Sequence, residues 1–147
     1  MKNTNHRRIY NIIFESACNH FPHAIKSLSG IEKLNQPTLG LEGWFRIELV
    51  KALENTTIVN KICNRGADLL LDNGDFLELK AAADLNFTYI LQGIKETHCL
   101  FLGKPRSKRI IYEKEKIMTE FLRRVPTLDI KLQQLEDNWY IGLILKH

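Results

Sequence analysis

Apolar residues recur along the chain with two different periods, and the switches between them mark out the elements. In residues 7–21, Ile9, Ile12, Ile13 and Cys18 fall at a loose helical spacing, which predicts a helix that Pro22 ends. Residues 24–40 are punctuated by Gly30, Pro37 and Gly40 and predict a short helix followed by a loop. Residues 41–54 (LEGWFRIELVKALE) return to the helical period. Residues 56–63 are rich in β-branched side chains and predict a strand. Residues 67–72 and 76–81 predict two more, with Asp72-Asn73-Gly74-Asp75 between them as a hairpin signal. Asp84 or Asn86 can cap the next helix, expected to reach about Glu96. Residues 98–103 are apolar without alternation, as in a strand covered on both faces. A basic loop at 104–107 leads to an amphipathic helix at 114–125, which Pro126 stops, and then to late strands at 130–135 and 139–145. This order predicts the α/β class, with a mixed central β-sheet flanked by helices. One domain spans 1–147: an N-terminal helical extension (1–40), a core (41–103), and a basic loop, helix and late strands (104–147).

Within that frame some charges fall where apolar residues belong. In the strand at 76–81, Phe76, Glu78 and Lys80 share one face and Leu77, Leu79 and Ala81 the other. A Glu and a Lys on one face of a core strand need a partner or a metal, unless that face is simply wet. Whether Asp68 joins them depends on the hairpin. A two-residue Asn73-Gly74 turn opposes Asp68 to Leu79 and turns it away from Glu78. A three-residue loop, Asn73 to Asp75, opposes Asp68 to Lys80 and brings all three to one face. On the helix at 41–54, Trp44, Phe45, Leu49, Ala52 and Leu53 form an apolar arc, and Glu48 lies inside it. Such a carboxylate either forms a structural ion pair, with an arginine such as Arg65, or joins Asp68 and Glu78.

Composition narrows the classes. With 44% hydrophobic and 26% charged residues over 147 positions, the chain can build an ordinary globular core. Its apolar runs are too short to span a membrane, and the basic start makes a poor signal peptide. Cys18, Cys63 and Cys99, odd in number and far apart, suit a reducing compartment, so a cytoplasmic protein is expected. The net charge of +4 is compatible with a polyanionic partner, and Lys104, Arg106, Lys108 and Arg109 cluster in one stretch.

Glu48 on a helix, then Gly66-Ala67-Asp68, a hairpin, and Glu78-Leu79-Lys80 together resemble the core of the PD-(D/E)xK, or restriction-endonuclease-like, nuclease superfamily. The resemblance covers about 60 residues. Ala67 stands where the family carries proline. The resemblance implies a core of helix, three-stranded meander, helix and strand, here with extra N-terminal helices and late C-terminal strands. It implies a Mg²⁺- or Mn²⁺-dependent endonuclease that hydrolyses phosphodiester bonds, with DNA favoured over RNA. Asp68 and Glu78 would be the principal metal ligands, with the Leu79 carbonyl as a further one. Glu48 would bind a second ion or orient a water, and Lys80 would contact the attacking water or the scissile phosphate. Gln92, on the helix after the hairpin, would point at the site, although a solvated glutamine is an equal alternative. Lys95, Lys104, Arg106, Lys108 and Arg109 would contact phosphates. A homodimer would add the surface that so short a chain lacks.

Other constellations are weaker. Cys18, His20 and His23 have no second ligand pair at zinc spacing, and Cys99 beside His98 lies in a buried strand. Phosphate-loop and dinucleotide fingerprints are absent from the sequence. Two alternatives to the nuclease stand: a non-catalytic nucleic-acid-binding or interaction module on the same fold, and an unrelated α/β domain.

Overall fold

A computed structural model describes residues 2–27, 41–63, 68–82, 85–93, 97–104, 114–135 and 138–146. The chain is mixed α/β. Helix α1 (Lys2–Ala24) runs into a 3-10 turn (Ile25–Ser27), and α2 (Leu41–Ala52) follows. Then come β1 (Val59–Ile62), β2 (Leu69–Leu71), β3 (Phe76–Ala82), α3 (Phe87–Gly93) and β4 (His98–Gly103). The described chain closes with α4 (Lys114–Arg124), β5 (Asp129–Gln134) and β6 (Tyr140–Leu145).

Six strands form one mixed sheet in the order β1-β2-β3-β4-β6-β5. Strands β3 and β4 run parallel, joined through α3, and the other neighbours are antiparallel. Strand alternation sorts the core onto two faces. Leu77, Leu79 and Ala81 of β3 pack with Ile13, Phe21, Phe45 and Leu49 of α1 and α2. Cys99 and Phe101 of β4 pack on the opposite side with Phe87 and Ile90 of α3 and Ile117 and Phe121 of α4. The interior strand β6 is buried throughout, which accounts for its unbroken apolar run. Gly142 is dictated by its neighbour: a Cβ there would meet the Phe101 ring at 2.2 Å.

Two expectations change. Pro22 does not end the first helix, which continues to Ala24 with Pro22 inside it. The missing amide removes one helical bond near the end of the helix. Packing outweighs it there, since Phe21 stacks on Phe45 at 5.0 Å and Ile25 is buried. The hairpin does turn through three residues, but through Asp72, Asn73 and Gly74 rather than 73–75. The Leu71 amide bonds the Asp75 carbonyl at 2.8 Å, and Gly74 takes a φ of 89° that suits glycine. Leu69 therefore opposes Leu77, and Leu70 opposes Phe76.

Candidate functional site

Strand β2 is three residues long, whereas β3 runs to Ala82, well past its last β2 partner. Alternate residues of a strand aim their amides and carbonyls at the same edge. The Asp75 carbonyl bonds to β2, so Leu79 and Ala81, in phase with it, present amides where β2 no longer reaches. Buried amides need acceptors. Carboxylates supply them: Asp68, in the bend before β2, accepts the Leu79 amide through Oδ2 at 2.8 Å. The Ala81 backbone bonds to Glu42, which sits in the first turn of α2.

Further side chains close on the same corner. Glu42 also accepts the Tyr89 hydroxyl. Asn86 Oδ1 caps α3 by taking the Tyr89 amide at 3.0 Å, which fixes where that side chain starts. Lys80 Nζ lies 4.3 Å from the centre of the Tyr89 ring and 3.7 Å from Glu78 Oε1. Arg46, one turn along α2 from Glu42, brings Nη1 within 3.8 Å of Asp68 Oδ1. Three carboxyls, an ammonium and a guanidinium thus meet where a sheet edge, a hairpin and two helix starts come together.

The carboxyls perturb one another. Burial pushes the Glu78 carboxyl up, and the Asp68 charge pushes it further, against the pull of Lys80. A hydrogen bond to Asp68 and the charge of Glu42 add to the rise, and Glu78 reaches about 7. Glu42 is also raised: burial leads, Lys80 opposes, Asp68 adds and the Ala81 backbone bond opposes. Near neutral pH the Glu78 carboxyl is therefore only partly ionised, which eases its repulsion with the neighbouring acids.

Glu48 does not reach this group. Its Oε2 is 2.6 Å from His20 Nε2 and its Oε1 is 3.4 Å from Lys51 Nζ. Burial pushes the Glu48 carboxyl up, but His20 and Lys51 together outweigh it and hold it below the usual range. The ion-pair alternative holds for Glu48, with His20 as the partner; Arg65 lies outside the described residues. The reason is the width of the buried stripe. At about 100° per residue, Glu42 sits about 60° to one side of Phe45 and Glu48 about 60° to the other. One rim faces β3 and the other faces α1.

Asp68, Glu78 and Lys80 are brought together, and the Leu79 carbonyl points to the same edge as its amide. Gln92 is exposed on α3. Lys104 Nζ lies 5.8 Å from the centre of the Trp139 ring. Lys95, Arg106, Lys108 and Arg109 lie outside the described residues. Sequence reasoning missed Glu42, Arg46 and the contact of Tyr89. The pattern offered one signal: Glu42 and Arg46 are four apart on the rim opposite Glu48. Among the described residues, no group of three or more His, Cys, Asp or Glu side chains is arranged to hold a metal ion as it stands. None of the described helices is long and apolar enough to cross a membrane. No protein-family model, curated protein or solved structure matches the chain.

Proposed function

We propose that this corner is the active site of a metal-dependent nuclease with a restriction-endonuclease-like core. The order α2, β1–β2–β3 meander, α3 and β4 supports that core, because it is the order the resemblance implies. The single observation that carries the reading is the convergence of Asp68, Glu78 and Glu42 on one corner beside Lys80. A cluster of mutually repelling oxygen acids is costly to a fold and suited to a hard cation.

The donors are all oxygens, the ligand type that Mg²⁺ and Mn²⁺ take, and they would have to rearrange to hold an ion. Asp68, Glu78 and the Leu79 carbonyl would hold the ion, with Glu42 in the role first assigned to Glu48. Their present partners (the Leu79 amide, Lys80 and the Tyr89 hydroxyl) would be exchanged in part. When bound, the ion supplies charge neutralisation and an acidified water. Lys80 is held between the Glu78 carboxylate and the Tyr89 ring, which fixes a positive charge where a scissile phosphate would lie. Arg46 offers planar donors beside Asp68 for the neighbouring phosphate. Tyr89 orients both Lys80 and Glu42. DNA is the substrate to test first, with RNA for comparison.

The test incubates the protein with plasmid, single-stranded DNA and RNA in Mg²⁺, Mn²⁺ or EDTA. Metal-dependent cleavage is expected, with Asp68→Ala and Lys80→Ala each losing about 100-fold or more while circular dichroism stays native. Variants that cut as fast as the parent would remove the site assignment. An inert protein that still shifts nucleic acid would favour a binding module on the same fold.

A further inference from the structure

Both oxygens of Asp68 face a donor, and the two donors differ in freedom. Oδ2 takes the Leu79 amide at 2.8 Å. That amide belongs to β3, whose pairing with β4 holds it in place. Oδ1 lies 3.8 Å from Nη1 of Arg46. Arg46 stands on the rim of α2 with a long side chain that is 35% exposed. Among the described residues, Asp68 is the only carboxylate with which it pairs. Lys80 has less freedom: its side chain is 17% exposed and is held between Glu78 and the Tyr89 ring.

A guanidinium keeps its charge wherever a protein stays folded, so Arg46 cannot release Asp68 by losing a proton. A divalent ion on Oδ1 would bring a second positive charge to the same oxygen, and like charges that close repel. Arg46 therefore has to swing away when Asp68 takes an ion. Buried Phe45 and Leu49 anchor α2, so the movement is one of side-chain torsions alone. A planar fork freed at the rim has the shape that meets a phosphate through two donors at once.

We propose that Arg46 is a latch on the site. It pairs with Asp68 while no hard cation is bound, gives Asp68 up when one binds, and then turns its donors to a substrate phosphate. The proposal rests on the nuclease reading and adds its regulation: the phosphate clamp is armed only in a loaded site. Linkage makes the effect mutual, since a phosphate that draws Arg46 off Asp68 strengthens ion binding by the same factor. The pair is partly exposed, so the latch biases the site severalfold and does not block it.

The test compares the parent with Arg46→Ala, Arg46→Gln and Lys51→Ala. Mn²⁺ binding is read by electron paramagnetic resonance without nucleic acid. Binding of a DNA oligonucleotide is read by fluorescence anisotropy in EDTA and in Ca²⁺, with gels confirming that the probe stays whole. Both Arg46 variants should bind Mn²⁺ about threefold to fivefold more tightly than the parent. They should bind the oligonucleotide about tenfold more weakly in Ca²⁺ and equally well in EDTA. Lys51, which pairs with Glu48 on the other rim, serves as the control, and its variant should stay within about twofold of the parent throughout. Circular dichroism checks folding, and Arg46→Gln, which keeps most of the side chain, serves if the alanine variant is unstable. The latch is overturned if the Arg46 variants take up Mn²⁺ like the parent, lose DNA affinity equally in EDTA and Ca²⁺, or behave no differently from Lys51→Ala. Mn²⁺ binding by the parent that is lost in Asp68→Ala would in that case leave the nuclease reading standing. A parent that takes up no Mn²⁺ would overturn both.

Discussion

Helix α2 carries two glutamates that flank one buried stripe and live in opposite electrostatic worlds. Glu42 lies against the open edge of β3, close to Asp68, and its carboxyl is raised. Glu48 lies against α1, takes a bond from His20, and its carboxyl is lowered. Both are partly buried, and both sit about 60° from Phe45 on the helical wheel. Within the helix, Lys51 adds to the lowering of Glu48. The other difference is the surface each meets. A helix face that provides a cationic partner makes a glutamate a clasp. A strand edge already carrying acids makes it a member of a cluster that resists ionisation.

The largest expected effect sets the two glutamates directly against each other. Glu42→Gln should cut metal-dependent cleavage by about 100-fold, whereas Glu48→Gln should stay within about twofold of the parent. Initial rates on the preferred substrate decide it, and equal losses would erase the distinction between the two rims.

A second measurement reads the cluster without any substrate. The folded-state value of Glu78, about 7, lies above its ordinary 4.5, so the folded state holds this proton more tightly than the unfolded one. Its contribution to stability is full below about pH 4.5 and is lost as the pH rises towards 7. In EDTA, Glu78→Gln should abolish that decline. After a discount for solvent screening, the parent should lose about 1–2 kcal/mol relative to the variant across the window. Urea midpoints at a series of pH values test this, and parallel curves for the two proteins would count against the coupling.

The smallest effect belongs to the clasp. His20→Ala should cost about 1 kcal/mol near neutral pH, a fall of about 2–4 °C in Tm, with cleavage kept. Glu48 has a depressed carboxyl, so its share of stability is present above its ordinary value and fades as the pH falls through the lowered one. The penalty should accordingly shrink in acid. A penalty that persists unchanged in acid would mean that His20 acts through packing alone.

Much of the architecture is legible in the sequence because local rules agree there. The β-branched run, the Asp72-Asn73-Gly74-Asp75 turn and the apolar stretch of β4 each specify an element without outside help. Asn86 is the cap its residue type allows. The face shared by Phe76, Glu78 and Lys80 follows from strand alternation alone. Pro22 is the contrary case: the stacking of Phe21 on Phe45 decides how far α1 runs, and that contact spans two helices. The loop register is another, since the positive φ falls on Gly74 in a turn that closes one residue earlier than expected. In the site, Asp68, Glu78 and Lys80 are accessible to pattern reasoning because the hairpin joins them at short range. Glu42, Arg46 and Tyr89 are not, because they meet only through the packing of α2 and α3 around the sheet. A wheel centred on Phe45 marks both rims as candidates, and only tertiary structure chooses between them.

The early end of β2 has a kinetic consequence. A backbone ladder gives up its bonds cooperatively, so loosening one rung tends to loosen the next. The Leu79 amide belongs to no such ladder on that edge, because a side chain holds it. Asp68 can swing off and return by a rotation of its own bonds while every strand stays zipped. Any exchange of that one bond is thus confined to a side chain and leaves the pairing of β3 with β4 in place.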